Sequence, residues 1–344
     1  MKLIVQIPCF NEEKTLPLVL KSIPKKIKGI DEIETLVIDD GSTDRTSQVA
    51  KRFHVTHIIR HRTNKGLARS FANGIHFSLR NGADIIVNTD ADNQYPQKDI
   101  PRLIEPILTD DAEIVIADRQ IPTIKHFSRM KKFFQHVGSS AVRTLSGASV
   151  PDAVSGFRAY SRHAALQLNI VTDFSYVIET IIQAKYKKLK IASIKVTTNP
   201  PTRKSRLFSN MFDHMRRSGT TLLRIYTMYR PLTVFSFVGI IVAIIGFLAA
   251  GRFVLYFLIG QGSGHIQSIV FGGILFIAGV QIFMTGVVAD LIGINRRLTE
   301  DILRRMKIVG LNQKKDDEVN VSTLNYVKQL KRPNGHARIT QRVN

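Results

Sequence analysis

Asp90 and Asp92 stand two residues apart in the stretch VNTDADNQYP, residues 87–96, directly after the apolar run ADIIV. At an extended strand end, alternation by two turns both carboxylates to one side. Two hard oxygen ligands on one side suit Mg2+ or Mn2+, with a diphosphate completing the coordination shell. Gln94, two residues further on, could add an amide oxygen. A carboxylate pair of this spacing is also common on ordinary solvated surfaces. Its place at the end of an apolar run is what favours a metal site. Three other apolar runs end in polar groups: PCFNEE, DDGSTD and ADR, the last ending at Arg119. Asp39 and Asp40 in the second are suited to base or ribose hydrogen bonds, or to capping the next helix, although Asp44 fits the capping role better. Gly66 suits either a close backbone approach to a nucleotide or a plain helix-start turn.

The elements that position these groups follow from periodicity. Short β-branched runs (KLIVQIP, IETLVIDD, VTHIIRH, ADIIVNTD, AEIVIADR) alternate with helical patterns over residues 1–200. The first helical pattern, NEEKTLPLVLKSIPKKI, opens on Asn11. Such alternation predicts an α/β fold with a mostly parallel, doubly wound sheet. Ligands of such sheets sit beyond the carboxyl ends of the strands, where the polar clusters lie. There is no GxGxxG after the first strand and no GxxxxGK[ST], which argues against a dinucleotide dehydrogenase and a P-loop ATPase.

The far end of the chain is different. Residues 231–251 and 266–289 carry no charge, and FVLYFLI extends the first run past Arg252. Each is long enough to cross a bilayer, with spans at about 232–259 and 267–289. The connector GQGSGH is short and Gly-rich, as a helical hairpin needs. The outer flanks are basic: Arg216, Arg217, Arg224 and Arg230 before, Arg296, Arg297, Arg304, Arg305 and Lys307 after. Both flanks, and with them both termini, are therefore expected on the cytoplasmic side. The N-terminus reads as a first strand rather than a signal peptide. Residues 203–230 alternate basic and apolar groups, as an amphipathic helix on an anionic membrane surface would. These flanks account for part of the net charge of +22, and nucleic acid becomes the weaker explanation of it. The expected organisation is a catalytic domain over 1–202, a juxtamembrane segment over 203–230, a membrane hairpin over 231–294 and a basic, partly disordered tail over 295–344. The single cysteine, Cys9, excludes an internal disulfide.

Taken in order, IPCFNEEKTL, LVIDDGSTDRT, NKGLARSFANGI, TDADNQYP and PDAVSGFRAYSR resemble the family 2 inverting glycosyltransferases of the GT-A fold. More narrowly, they resemble the polyprenyl-phosphate glycosyltransferases, which include dolichyl-phosphate mannose synthases and bacterial polyprenyl-phosphate glucosyltransferases. The resemblance covers about residues 1–210, and the hairpin matches one subgroup. It implies that Pro8, Asn11 and Glu12 contact the nucleotide and that Asp39 and Asp40 bind base and ribose. It assigns Asp90, Asp92 and Gln94 to metal and diphosphate. Arg119 matches a basic residue near the acceptor phosphate, with Arg129 and Arg203 as looser matches. Asp152 matches an acid that serves as base or acceptor-site organiser. Asn93 and Tyr95 depart from the DLQHP of many relatives, which leaves the sugar or subfamily open. The resemblance also implies a homo-oligomer, and Gly239, Gly246, Gly272, Gly273 and Gly279 would permit close helix approach. Other enzyme readings are a different lipid or protein acceptor, or a processive polysaccharide synthase, which the absence of Trp disfavours. A non-catalytic nucleotide-binding scaffold is the reading from another class.

Overall fold

The computed structural model describes residues 1–121, 150–171, 176–200, 219–220, 223–224 and 226–330, with the side chains of 262, 263 and 312–330 excepted. Two compact units divide the chain, Met1–Glu300 and Asp301–Asn344.

The first unit begins with β1 (Lys2–Cys9), α1 (Leu16–Ser22), β2 (Glu32–Asp39), α2 (Thr46–Arg52), β3 (His57–Arg60), α3 (Leu67–Arg80) and β4 (Ile85–Asn88). It continues through α4 (Ile100–Leu108), β5 (Ile114–Asp118), β6 (Arg158–Ser161), α5 (Arg162–Gln167), α6 (Tyr176–Tyr186) and β7 (Ile191–Lys195). The seven strands form one sheet in the order β3-β2-β1-β4-β6-β5-β7. Every pairing is parallel except those of β6, which runs antiparallel between β4 and β5. The expected α/β, mostly parallel sheet is therefore present. β1 is buried on both faces, and its sequence, apolar after Lys2 apart from Gln6, is that of a central parallel strand. On α3, Ala68, Phe71, Ile75 and Leu79 are buried, the i, i+3, i+7, i+11 stripe of a helix lying on a sheet. The helix stops at Asn81 and Gly82, where a φ of 77° suits glycine.

The first helix is shorter than its sequence pattern. Asn11 does not open it: at φ 55° Asn11 belongs to a loop, and α1 begins at Leu16 with Pro17 in its first turn. Pro24 ends it by forcing Ile23 into an extended conformation.

After residue 230 come α7 (Pro231–Leu258) and α8 (Ile266–Leu330). Both are long and apolar enough to cross a membrane, over Pro231–Leu258 and Ile266–Leu311. Phe237, Phe247, Leu248 and Ile277 stand about two-thirds exposed, so no core among the described residues covers these helices. Apolar faces of this extent suit a lipid bilayer. The helices touch through glycine. A Cβ on Gly246 would lie 2.4 Å from Phe276 N, one on Gly279 2.4 Å from Ala243 N, and one on Gly272 2.5 Å from Ala250 N. Four of the five glycines expected to permit close helix approach thus pack α7 on α8 within one chain, and Gly273 meets nothing within 4 Å. α8 also runs on to Leu330, past the expected end of the second span and into the segment expected to be partly disordered. The juxtamembrane pattern at 203–230 lies largely outside the described residues.

The base of the hairpin rests on α6 and the residue that follows it. Lys187 Nζ is 2.9 Å from Glu300, the Arg296 guanidinium lies 3.9 Å over the Tyr229 ring, and Arg297 lies 4.8 Å over Tyr186. In the second unit, Asp301 pairs with Arg304 at 3.3 Å and Arg305 at 3.0 Å, one turn along the same helix.

Candidate active site

β1 has β2 on one side and β4 on the other, so the chain reverses its direction of winding there and opens a crevice at the carboxyl ends of β1 and β4. Pro8 closes β1 into this crevice. The Asn11 side-chain oxygen then accepts from Thr43 N at 2.8 Å, while Asn11 N donates to Ser42 Oγ at 2.9 Å. Buried Glu12 donates its N–H to Thr46 Oγ1 at 2.8 Å, and its carboxylate accepts from Thr15 Oγ1 at 2.6 Å. The first loop is in this way stapled to the GSTD loop.

Asp39 and Asp40 organise the same rim. Asp39 is fully buried; it accepts from Ser42 N at 2.8 Å and from the Ser47 hydroxyl, and Arg60 Nε is 3.6 Å away. Asp40 accepts from Lys65 N at 2.9 Å and Gly66 N at 2.8 Å, and its other contact is His61 Nδ1 at 2.7 Å. Gly66 has φ 88° and ψ 159°, a backbone region essentially reserved for glycine. Asp44 takes the capping role, accepting from Thr46 N at 2.9 Å in the first turn of α2.

The carboxylate pair is built by a turn, not by a strand pleat. β4 ends at Asn88, and Asp92 sits in a turn where Asn93 takes φ 59°. An Asn tolerates that left-handed conformation better than an aliphatic residue would. Asp92 accepts from Gln94 N at 3.0 Å, and Gln94 O in turn accepts from Asn199 N at 2.9 Å. The two acids still share one space. The half-buried Asp90 carboxyl is pushed up to about 7, first by loss of solvent and then by the charge of Asp92. Glu12 adds to the rise, while Arg119 and Arg158 oppose it. Two carboxylates that repel each other fit a divalent cation. Among the described residues no group of three or more His, Cys, Asp or Glu is placed to enclose a metal. The pair therefore fits an ion shared with an anionic ligand rather than a closed protein cage.

The arginine whose charge acts on Asp90 belongs to a buried ion pair. Arg119 donates from Nε to Asp152 at 2.6 Å and from Nη2 at 2.9 Å, a bidentate fork. Its own N–H and that of Val154 also reach Asp152, both at 3.3 Å. Burial works against the charge of the Arg119 guanidinium, but Tyr95, Asp152 and Asp90 outweigh it and raise its pKa. Arg129 and Arg203 lie outside the described residues.

Four further residues shape the crevice and escape motif reading. Gln6 donates to Asn88 at 2.9 Å, and Asn88 donates to Gly156 O at 2.9 Å and to the Tyr176 hydroxyl at 2.8 Å. Gly156 N donates to the Tyr95 hydroxyl at 3.0 Å, so the Gly156 peptide is gripped from both sides. Arg158 is fully buried and meets no carboxylate among the described residues: it donates to the carbonyls of Ala153, Ser155 and Val177 and to Thr180 Oγ1. A charged residue inside the strand FRAYS was the available signal for it. Cys9 is, as expected, a small buried side chain.

The comparisons with known proteins agree with this geometry. The sequence model of Glycosyl transferase family 2 matches residues 4–168. The UDP-N-acetylglucosamine--dolichyl-phosphate N-acetylglucosaminyltransferase of Methanococcus voltae is 30% identical over 217 residues, 56% of this chain and 83% of that protein. The undecaprenyl-phosphate 4-deoxy-4-formamido-L-arabinose transferase of Photorhabdus laumondii is 27% identical over 331 residues, 92% of this chain and 97% of the relative. Among solved structures, the glucosyl-3-phosphoglycerate synthase of Mycobacterium tuberculosis with Mn2+, UDP-glucose and phosphoglyceric acid superimposes with a TM-score of 0.52 at 23% identity. That match covers 65% of this chain and 79% of the other, and it shows a shared GT-A fold. The chain belongs to glycosyl transferase family 2 and is a glycosyltransferase, as its ordered motifs led one to expect.

Proposed function

We propose that the protein moves one sugar from a UDP- or GDP-linked donor to the phosphate of a membrane polyprenyl phosphate, of dolichyl or undecaprenyl type, with inversion at the anomeric carbon. The observation that carries this reading is the electrostatic coupling of two groups in one site: Asp90 of the Asp90–Asp92 pair and Arg119 of the Arg119–Asp152 fork. The names of the two relatives above support a polyprenyl phosphate acceptor. The length and apolar composition of α7 and of the first part of α8 support a bilayer, the source of such an acceptor, beside the same unit.

The nucleotide enters against the first loop, with Pro8, Asn11 and Glu12 on one side and the rim built by Asp39, Asp40 and Gly66 on the other. The internal hydrogen bonds of Asp39 and Asp40 hold that rim in shape. Asp90, Asp92 and Gln94 would hold Mg2+ or Mn2+, which when bound offsets charge on the departing diphosphate. The Mn2+ and UDP-glucose in the superimposed synthase support that assignment.

The acceptor is a phosphate already ionised near neutral pH, so it asks for positioning rather than deprotonation. Among the described residues, Arg119 spends Nε and Nη2 on Asp152 and keeps Nη1 for an acceptor oxygen. Asp152, with its oxygens accepting from Arg119 and Val154, suits an organiser of that arginine better than a proton acceptor. Arg129 and Arg203 are proposed as further phosphate contacts. The basic flanks of the hairpin favour a cytoplasmic catalytic domain and cytoplasmic termini.

The cellular test is Asp92→Ala. Loss of a lipid-linked sugar that the unaltered chain restores is the expected result. Unchanged levels would instead favour a non-catalytic scaffold.

A further inference from the structure

β7 ends at Lys195, but the chain beyond it stays with the site. Val196 N donates to Asp118 O at 2.9 Å, so the first residue past the strand is still held by the end of β5, one residue before Arg119. Val196 is also 1% exposed, which fixes it by packing. Arg102, on α4, braces the same exit by donating from Nη2 to Lys195 O at 3.3 Å. Three residues on, Asn199 N donates to Gln94 O at 2.9 Å, and Asn199 Nδ2 donates to Asn93 O at 3.0 Å. Residues 196–199 are therefore a strap between the base of Arg119 and the turn that carries Asp92 and Gln94. Three steps of fully extended chain reach about 11 Å. The strap thus limits how far the turn can move from the end of β5. Pro200 keeps Asn199 extended, the conformation that a strap needs.

The two bonds from Asn199 fall on one residue's backbone. Asn93 O and Gln94 O belong to the two peptide planes that flank the Gln94 Cα, so Asn199 holds both planes. Gln94 N donates to Asp92 Oδ1 at 3.0 Å, which carries the same restraint to the Asp92 carboxylate. Asn93, between them, sits at φ 59°, a left-handed conformation that a side-chain-bearing residue keeps only where its surroundings enforce it. The bond from Asn199 to its carbonyl is such an enforcement. No closed cage of acids surrounds Asp92 among the described residues. The direction of its carboxylate and of the Gln94 side chain depends all the more on contacts one layer out.

We propose that Asn199 is a positioning residue for the cation: acting through Gln94 and Asp92 rather than on the ion, it holds both in the direction in which they take a divalent metal with a nucleoside diphosphate. This role rests on the metal and diphosphate reading of the turn given above.

Mn2+ uptake by the full-length protein in detergent, with UDP or GDP present, tests it without recourse to turnover. The loss of the free-ion electron paramagnetic resonance signal reads the binding. Asn199→Ala removes the side-chain bond, and Asn199→Leu removes it while keeping nearly the same shape, should the alanine variant fail to fold. Each is expected to weaken Mn2+ binding about tenfold, as loss of an outer contact does at other metal sites, in protein that melting curves show to be folded at the assay temperature. A purely structural role would lower the melting temperature and leave the affinity of the folded protein unchanged. Mn2+ affinity within about twofold of the unaltered chain in a folded variant would overturn the role of Asn199 and leave the metal site standing. An unaltered chain that takes up no Mn2+ with either nucleotide would overturn the metal reading, and this role with it.

Discussion

Gly156 lies directly against Asp90. A Cβ at position 156 would stand 2.9 Å from Asp90 Oδ2, 3.0 Å from Oδ1 and 3.2 Å from the Tyr176 hydroxyl. Real Cβ atoms do not approach so closely, and the Gly156 peptide cannot retreat. Tyr95 holds its N–H and Asn88 holds its carbonyl. Gly156→Ala therefore has to move the carboxylate. A displacement of this kind at a reacting centre costs about 100-fold in rate. The expected result is a fall of that order in turnover with a folded protein, read by steady-state kinetics beside circular dichroism.

The raised Asp90 carboxyl has a definite pH signature. Its value of about 7 in the folded chain lies above that of an unfolded aspartate, so folding favours the protonated form. Above the folded value the buried charge opposes folding in full, and below the unfolded value the penalty is absent. Metal-free protein is expected to lose melting temperature as pH rises from about 4 to about 7, with no further loss from this group above that. Mn2+ is expected to restore more at the upper end, where Asp90 carries its charge. A metal-induced shift that is equal at both ends would separate Asp90 from the cation. Thermal melts with and without chelator make the comparison.

Arg119 and Asp152 act as one unit. Removing Asp152 leaves a buried guanidinium without its counter-charge, at a cost of about 3–5 kcal/mol in stability. In a double-mutant cycle on turnover, Arg119→Ala, Asp152→Ala and the pair together are expected to lose similar amounts of activity. Independent, multiplicative losses would instead assign Asp152 a role of its own, such as that of a base.

The hairpin should respond to glycine changes in a graded way. Gly246→Leu and Gly279→Leu drive side chains into the backbone of the other helix, whereas Gly273→Leu and Gly251→Leu enter open space. The first two are expected to lower the detergent melting temperature, and the second two to leave it unchanged.

Much of the catalytic half was legible because its signals are local. The alternation of β-branched runs and helices gave the sheet, and the order of polar strand ends gave the crevice. The groups that escaped are those defined by distant partners. Arg158 reads as a surface charge until the carbonyls of Ala153, Ser155 and Val177 enclose it. Asn88, one residue beyond a β-branched run, is a hinge pin only because Gln6, Gly156 and Tyr176 come to it from elsewhere in the chain. The acid pair was found by the wrong geometry: a pleat was expected, and a turn with Asn93 in the left-handed region supplies it. Asn93 and Tyr95, the two departures from the relatives' pattern, turn out to have structural tasks at that turn and at Gly156. In the span, the glycines signalled a close helix approach, while composition does not say which face a neighbouring helix will take.

The most direct measurement offers purified full-length protein a panel of labelled UDP- and GDP-sugars with polyprenyl phosphate and Mg2+ or Mn2+. Label is expected to move into the organic phase from one donor, to require the metal, and to disappear with Asp92→Ala. Absence of any organic-phase product with every donor in the panel would contradict transfer to a polyprenyl phosphate.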